Sequence, residues 1–255
     1  MKPIPLWPWL CLGVSMLAAG PLPALELDAE LAWGRRLELS LPLSGPVSEV
    51  AVAPGQRVAE GETLLALDQR LYRARLEQAR AGLEQARQDR AEAQRELDRA
   101  EELYDRTVLS DHDLTKARIA AAAAEAARRR AAAALTEAEL ELEYSRLQAP
   151  FDGVVLAVLA APGQALVNRL RAQPLVVLAD DRRLRALGAV GAEQAVSLSP
   201  GQGAEVELAG EWLAGELILV GREPLEQGYP IEVGFEAPAG VTAFAGQRLR
   251  VRIDD

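Results

Sequence analysis

The sequence predicts an α+β multidomain chain. A long antiparallel α-helical coiled-coil hairpin is inserted into a split β-domain, and a small β-barrel follows. Three observations carry this. A valine- and glycine-rich phrase occurs twice, as GPVSEVAVAPGQRV from Gly45 and GVVLAVLAAPGQAL from Gly153, 108 positions apart. An Ala/Arg/Glu-rich block with a regular apolar step separates the copies. After Leu184 the chain reads as alternating or apolar strands parted by Gly and Pro turns.

The segment 1–24, MKPIPLWPWLCLGVSMLAAGPLPA, has a basic start at Lys2, an apolar run from Leu6 to Ala19 and small residues before Leu25. It reads as a signal peptide cleaved after Ala24. The run contains Pro8 and is short for a membrane span of about 20 residues; an uncleaved anchor is the alternative. Cys11 lacks the small residue expected just before a lipidated cysteine. Cleavage would remove the only Cys and both Met residues, Met1 and Met16. The rest would then have no disulfide and no sulfur ligand. The formal charge of −10 argues against nucleic acid as a partner. No later run is long enough to cross a bilayer, so an exported, water-soluble body is expected.

Residues 25–39 read as one or two N-terminal strands that join the barrel. Residues 40–68 and 149–181 hold the two copies of the phrase. Val47, Val50, Val52 and Val58 have strand spacing, and Pro54-Gly55 supplies a type II turn, with Gly at positive φ. The second copy has Val154, Val155 and Val158, then Pro162-Gly163-Gln164. Each copy is too short to bury a sheet face alone, so the two are expected to pack on each other. The second copy lacks a glycine matching Gly61, and Asn168 is the candidate for that turn.

Residues 69–148 form the hairpin. In the first arm apolar residues fall at Tyr72, Leu76, Ala79, Leu83, Ala86, Ala93, Leu97, Ala100 and Tyr104, with Arg90 in the one vacant slot. Steps of four and three give the 3.5-residue period of a coiled-coil seam. Gly82 costs about 1 kcal/mol there, too little to break the helix. The second arm repeats the step at Leu114, Ala117, Ala121, Ala124, Ala131, Leu135, Ala138 and Leu142, with Arg128 in its gap. The two series mirror each other about Leu109, which one continuous helix would not explain. Each arm is about 55 Å long. Arg90 and Arg128 meet at one level and are expected to turn outward to nearby glutamates. The tip lies at about 107–113, with Ser110 as N-cap of the second arm, followed three residues later by Asp113. The second arm is expected to run to Pro150. Residues 182–255 form the barrel.

The order of these parts resembles the periplasmic adaptor, or membrane fusion protein, family (HlyD-like, RND-type efflux adaptors). The resemblance rests on SGPVSEVAVAPGQRVAEGETLLALD, the paired helices and LQAPFDGVVLAVLAAPGQAL, and covers nearly all of the chain after residue 24. It implies a lipoyl-like (biotinyl-lipoyl) β-domain and a non-catalytic role in the periplasm. There the protein would link an inner-membrane transporter, RND type favoured, to a TolC-like outer-membrane channel for efflux or secretion. It also implies self-association into a ring, a trimer or hexamer, associated with the inner membrane through the transporter. Members that dock such a channel carry Arg, three residues, Leu, six residues, Ser at the hairpin tip. Arg99, Leu103 and Ser110 fit, and Leu103, one position off Tyr104, is expected to be exposed. The family's fourth, membrane-proximal domain is expected to be absent or vestigial.

Other chemistries fare less well. A swinging-arm carrier needs a lysine at the turn joining the two halves, but Lys116 lies inside a helix. A soft-metal site needs several His, Cys or Met ligands, and only His112 remains, read as a solvated turn residue. Ser, Asp and His adjoin in SDHD, but on an exposed turn they cannot form a buried relay. No catalytic residue, cofactor or metal is expected. Glu84 with Arg87 and Gln88, and Glu96 with Arg99, read as solvated faces. The alternatives are a structural coiled-coil protein of the periplasm and an adaptor of an ATP-driven (ABC-type) exporter.

Overall fold

The computed structural model describes residues 25–167, 172–238 and 240–254. The predicted signal peptide and the turn assigned to Asn168 lie outside the described residues. In chain order the elements are β1 (Leu25–Trp33), β2 (Arg36–Leu39), β3 (Gly45–Val50), β4 (Arg57–Val58), β5 (Thr63–Leu67), α1 (Arg70–Asp105) and α2 (Asp111–Glu143). Then come β6 (Arg146–Gln148), β7 (Gly153–Val158), β8 (Ala165–Leu166), β9 (Val176–Ala179), β10 (Arg183–Val190), α3 (Ala192–Ser197), β11 (Gly203–Leu208), β12 (Glu211–Val220), β13 (Tyr229–Glu236) and β14 (Arg248–Ile253). They divide into two units, one of residues 33–182 and one that combines the N-terminal strand with residues 183–255.

The first unit holds two four-stranded sheets, β2-β9-β7-β4 and β6-β5-β3-β8. Each sheet takes strands from both copies of the repeated phrase. Their inner faces share one core, with Val47, Leu64, Leu67, Val155, Leu166, Leu175 and Leu178 almost wholly buried. The phrase proves to be a clasp. Gly55 N–H donates to Val155 O (2.7 Å) and Gln56 O accepts from Val155 N (2.9 Å). The related copy does the same in reverse: Gly163 N–H reaches Val47 O (2.8 Å) and Val47 N–H reaches Gln164 O (2.8 Å). The Gln side chain completes each turn, accepting from Ala53 N (3.1 Å) or Ala161 N (3.0 Å). Gly55 and Gly163 take the positive φ that the turn demands, 84° and 83°.

The hairpin leaves the β-domain between β5 and β6, which pair directly. α2 therefore stops at Glu143, well short of Pro150. The ladder to β5 claims Arg146–Gln148, and Ser145 turns the chain into it. The Ser145 side chain, fully buried, donates to Leu142 O (2.6 Å) and accepts from Gln69 Nε2 (2.9 Å), while its carbonyl accepts from Leu67 N (2.8 Å). Tyr72 joins the β-domain core and donates its hydroxyl to Ser44 O (3.0 Å).

The second unit is a closed six-stranded barrel, β1-β10-β13-β12-β11-β14. Leu31, Leu184, Val206, Leu217, Ile231, Val233, Val251 and Ile253 fill it. The N-terminal strands do not both join it. β1 pairs with β14, but β2 pairs with β9 in the first unit, because Gly34–Arg35 breaks the strand and redirects the chain. The clasp recurs here: Gly201 and Gln202 grip Leu217 (2.8 and 2.9 Å), and Gly246 and Gln247 grip Leu31 (both 2.8 Å). On the outer wall Arg252 stacks over Trp212 at 3.9 Å and pairs with Glu26 at 2.6 Å. Such a stacked cation contributes about 0.5–1 kcal/mol at an exposed site.

Candidate functional site

The hairpin follows the predicted mirror pairing. The second-arm seam residues are buried or half-buried throughout, and the apolar ones of the first arm are so up to Ala100, while Arg90 is exposed. Cross-arm ion pairs join Arg75 to Glu141 (2.9 Å), Arg90 to Glu125 (3.4 Å) and Arg118 to Glu101 (3.3 Å). The two seam arginines turn to the same glutamate. Arg128 donates to both Glu125 oxygens at 2.9 and 3.0 Å, and Arg129 adds a third guanidinium at 3.0 Å.

Hydrogen bonds from Arg128, then Arg129, hold the Glu125 carboxyl down to about 2. A carboxyl with a depressed folded pKa stabilises the fold above its unfolded value of about 4.5 and loses that contribution as the pH falls toward 2. Helicity measured by circular dichroism should therefore fall on acidification through that window. Glu125→Gln should remove its share of the pH dependence there. An identical acid profile for the variant would contradict the assignment.

At the tip, α1 ends in a Schellman motif. Val108 N–H donates to Leu103 O (3.0 Å) and Thr107 N–H to Tyr104 O (2.8 Å). Thr107 takes a φ of 60°, a left-handed conformation unusual for a β-branched residue. Ser110 caps α2 as expected: its hydroxyl accepts from Asp113 N (3.2 Å) and donates to Asp113 Oδ2 (2.7 Å). That bond, with Lys116 nearby, lowers the Asp113 pKa.

The structure revises the exposure of two tip residues. Leu103 is half-buried, whereas Tyr104, expected in the seam, is 40% exposed. The Schellman turn accompanies the shift: it folds the chain back over the Leu103 carbonyl and ends the heptad before Tyr104 can face the second arm. Arg99 is exposed one turn below and pairs with Glu96 at 2.7 Å. Arg99, Leu103 and Ser110 thus fall on the last turns of α1 and the first residue of the return, while His112 is exposed beside them. Tyr104 and Val108, the latter 72% exposed, add apolar surface that the sequence reading did not assign to the tip. The break in the heptad at Val108 was the available sign. Among the described residues no group of three His, Cys, Asp or Glu could hold a metal ion, and no helix is long and apolar enough to cross a membrane.

Comparison with known proteins places this architecture. The family model described as RND MFP, alpha-helical hairpin domain, matches residues 75–145. The membrane fusion protein Spr0693 from Streptococcus pneumoniae R6 superposes with a TM-score of 0.69 at 17% identity, over 90% of this chain and 98% of its own. A MacA-MexA chimeric protein containing the Pseudomonas aeruginosa MexA alpha-hairpin domain gives 0.65 at 20% identity, over 91% and 81%. ZneB from Cupriavidus metallidurans gives 0.51 at 20%, over 91% and 98%. No curated protein sequence matches significantly. The hairpin matches the RND membrane fusion protein hairpin domain, and the chain shares its fold with membrane fusion proteins of known structure.

Proposed function

We propose that this chain is a periplasmic adaptor subunit that links an inner-membrane transporter to a TolC-like outer-membrane channel for efflux or secretion. The observation that carries the reading is the hairpin, which matches an RND membrane fusion protein domain and projects from a β-domain closed by matching clasps. An RND-type transporter is favoured by that match. The role is assembly rather than catalysis. Several copies would form a ring, and Arg99, Leu103 and Ser110 at the tip would meet the channel's helices. Ser110 fixes the start of α2 and so the shape of the tip, whereas Arg99 offers an exposed guanidinium and Leu103 a half-buried apolar edge.

Residues 1–24 would direct export to the periplasm. Pull-down from cells carrying an affinity-tagged chain should recover an outer-membrane channel together with an inner-membrane transporter. Recovery of neither, from cells in which the tagged protein is folded and exported, would refute the linking role. The class of transporter recovered distinguishes the RND from the ABC assignment.

A further inference from the structure

The foot of the hairpin carries two arginines whose arrangement the adaptor role does not by itself explain. Arg73 Nη2 donates to Gln69 Oε1 at 2.9 Å, and Arg146 Nη2 donates to the same oxygen at 3.2 Å. The two nitrogens therefore stand no more than about 6 Å apart on a neutral acceptor, a spacing at which like charges repel. They line a cleft of about 490 Å³ with Ser48, Thr63, Glu49, Asp68 and Arg70. Arg70 is matched by Asp68, whose pKa it lowers to about 2. Arg73 and Arg146 have, among the described residues, no carboxylate within 4.0 Å. Their donor geometry suits an oxyanion that can take a bond from each.

The opposite flank of the hairpin has the complementary charge. Arg75 is two residues from Arg73, about 160° around the helix. It faces a groove of about 450 Å³ with Gly82, Ala134, Glu137 and Glu141. Glu141 is held by Arg75 at 2.9 Å, so Glu137, one turn nearer the tip, lies about 9 Å above the level of Arg73, a rise to be spanned by the two side chains and a tilt between neighbouring hairpins. Glu137 has, among the described residues, no basic group within 4.0 Å. The groove floor is small, and a Cβ on Gly82 would meet nothing within 4 Å, so a neighbouring chain can approach closely.

We propose that the Arg73–Arg146 pair receives the Glu137 carboxylate of a second copy of this chain. The contact rests on the ring-forming reading above. One flank gives and the other receives, which is the head-to-tail relation that closes a ring when the rotation allows. A chain of net charge −10 repels its own copies at long range, so such a match also fixes register and suppresses wrong pairings. Of the cleft's own carboxylates, Asp68 is neutralised by Arg70 and Glu49 adds one negative charge, which leaves the lining with a net positive charge for an incoming anion.

The test uses the full chain with Cys11→Ser, since Cys11 is its only cysteine. Arg73→Cys combined with Glu137→Cys should form disulfide-linked multimers in cells, and neither substitution alone should exceed a simple dimer. Arg73→Glu and Glu137→Arg should each weaken self-association by about tenfold in sedimentation. Both together should restore it to within about threefold. Thermal melts of all variants check folding. If neither variant changes sedimentation while the chain still assembles, the contact is wrong and the ring stands. If the chain remains a monomer in sedimentation and in cells, both fall. Calorimetric binding of inorganic phosphate that Arg73→Glu abolishes, with no recovery in the charge swap, would assign the cleft to a free anion and overturn the contact.

Discussion

Leu103→Asp is expected to reduce export to the level of cells lacking the protein, with the protein still folded. The expectation follows from where the tip places that side chain. Leu103 sits on the last turn of α1, half-buried, with its carbonyl bonded to Val108 N–H. An aspartate there puts a charge on the apolar edge proposed to meet the channel, and truncating or charging such an anchor costs about 2 kcal/mol or more of binding. It also adds a negative charge near a helix C-terminus, which costs about 0.3–1 kcal/mol locally. The β-domain core lies at the other end of the arms, and cross-arm pairs such as Arg75–Glu141 remain, so the melting transition should persist. Thr107→Gly provides the control for tip shape. It relieves the positive φ without touching the edge, and export should be kept. Normal export by a folded Leu103→Asp variant would remove Leu103 from the docking surface.

The long elements were legible because their periods are unambiguous. Steps of four and three through Leu76, Leu83 and Leu97 specify a seam, and the mirrored Arg90 and Arg128 specify the reversal. What escaped was set by local backbone geometry that periodicity does not encode. Tyr104 continues the heptad on paper, but the Schellman turn closes around Leu103 instead. Glutamate and leucine on the segment before Pro150 look helical, yet pairing with β5 pulls Arg146–Gln148 into a strand. β2 resembles β1 in its alternation, and only the break after Trp33 separates their sheets. The Pro-Gly-Gln string also occurs a third time, outside the duplicated phrase. Pro200-Gly201-Gln202 and Gly246-Gln247 repeat the same clasp on a different unit, so the string reports a turn chemistry as well as a duplication. Of the proposed tip, the N-cap role of Ser110 was readable from the acid three residues on. The exposure of Tyr104 and Val108 was not, since it depends on how α1 terminates.

The steepest loss of stability is expected from a single methyl group. In APFDGVV, Ala149 takes the N–H of Gly61 at 2.8 Å, and Phe151 is buried beneath the Arg35 guanidinium at 4.3 Å. Asp152 accepts from Glu60 N at 2.8 Å. Gly153 then enters β7 between β4 and β9, opposite Val58 on one side and beside Ala179 on the other. A Cβ at Gly153 would stand 2.2 Å from the Ala179 carbonyl oxygen and 3.2 Å from Phe151 Cε2. Neither neighbour is the free end of a flexible chain, so β9 must move and its ladder must open. Overpacking of this kind costs about 1–3 kcal/mol, and lost ladder bonds add to it. Gly153→Ala should therefore lower stability by about 3 kcal/mol or more, roughly 6–12 °C in Tm for a unit of this size.

The duplication supplies an internal control, because Gly45 is the related position, 108 residues earlier. A Cβ there meets only Leu67 Cδ1 and the Tyr72 hydroxyl, both at 3.7 Å, which is ordinary contact. Gly45→Ala should change stability by less than about 1 kcal/mol. Denaturant midpoints for the two variants decide the matter, and equal losses would mean that close approach to Ala179 is not what requires glycine at 153. The asymmetry has a structural source. Both β7 and β3 are interior strands, but Gly153 lies between β4 and the Ala179 carbonyl of β9, whereas the ladder from β3 to β5 starts only at Val47 and Gly45 is paired with the short β8 alone. One phrase, used twice, thus carries a demand for glycine that only its second use imposes.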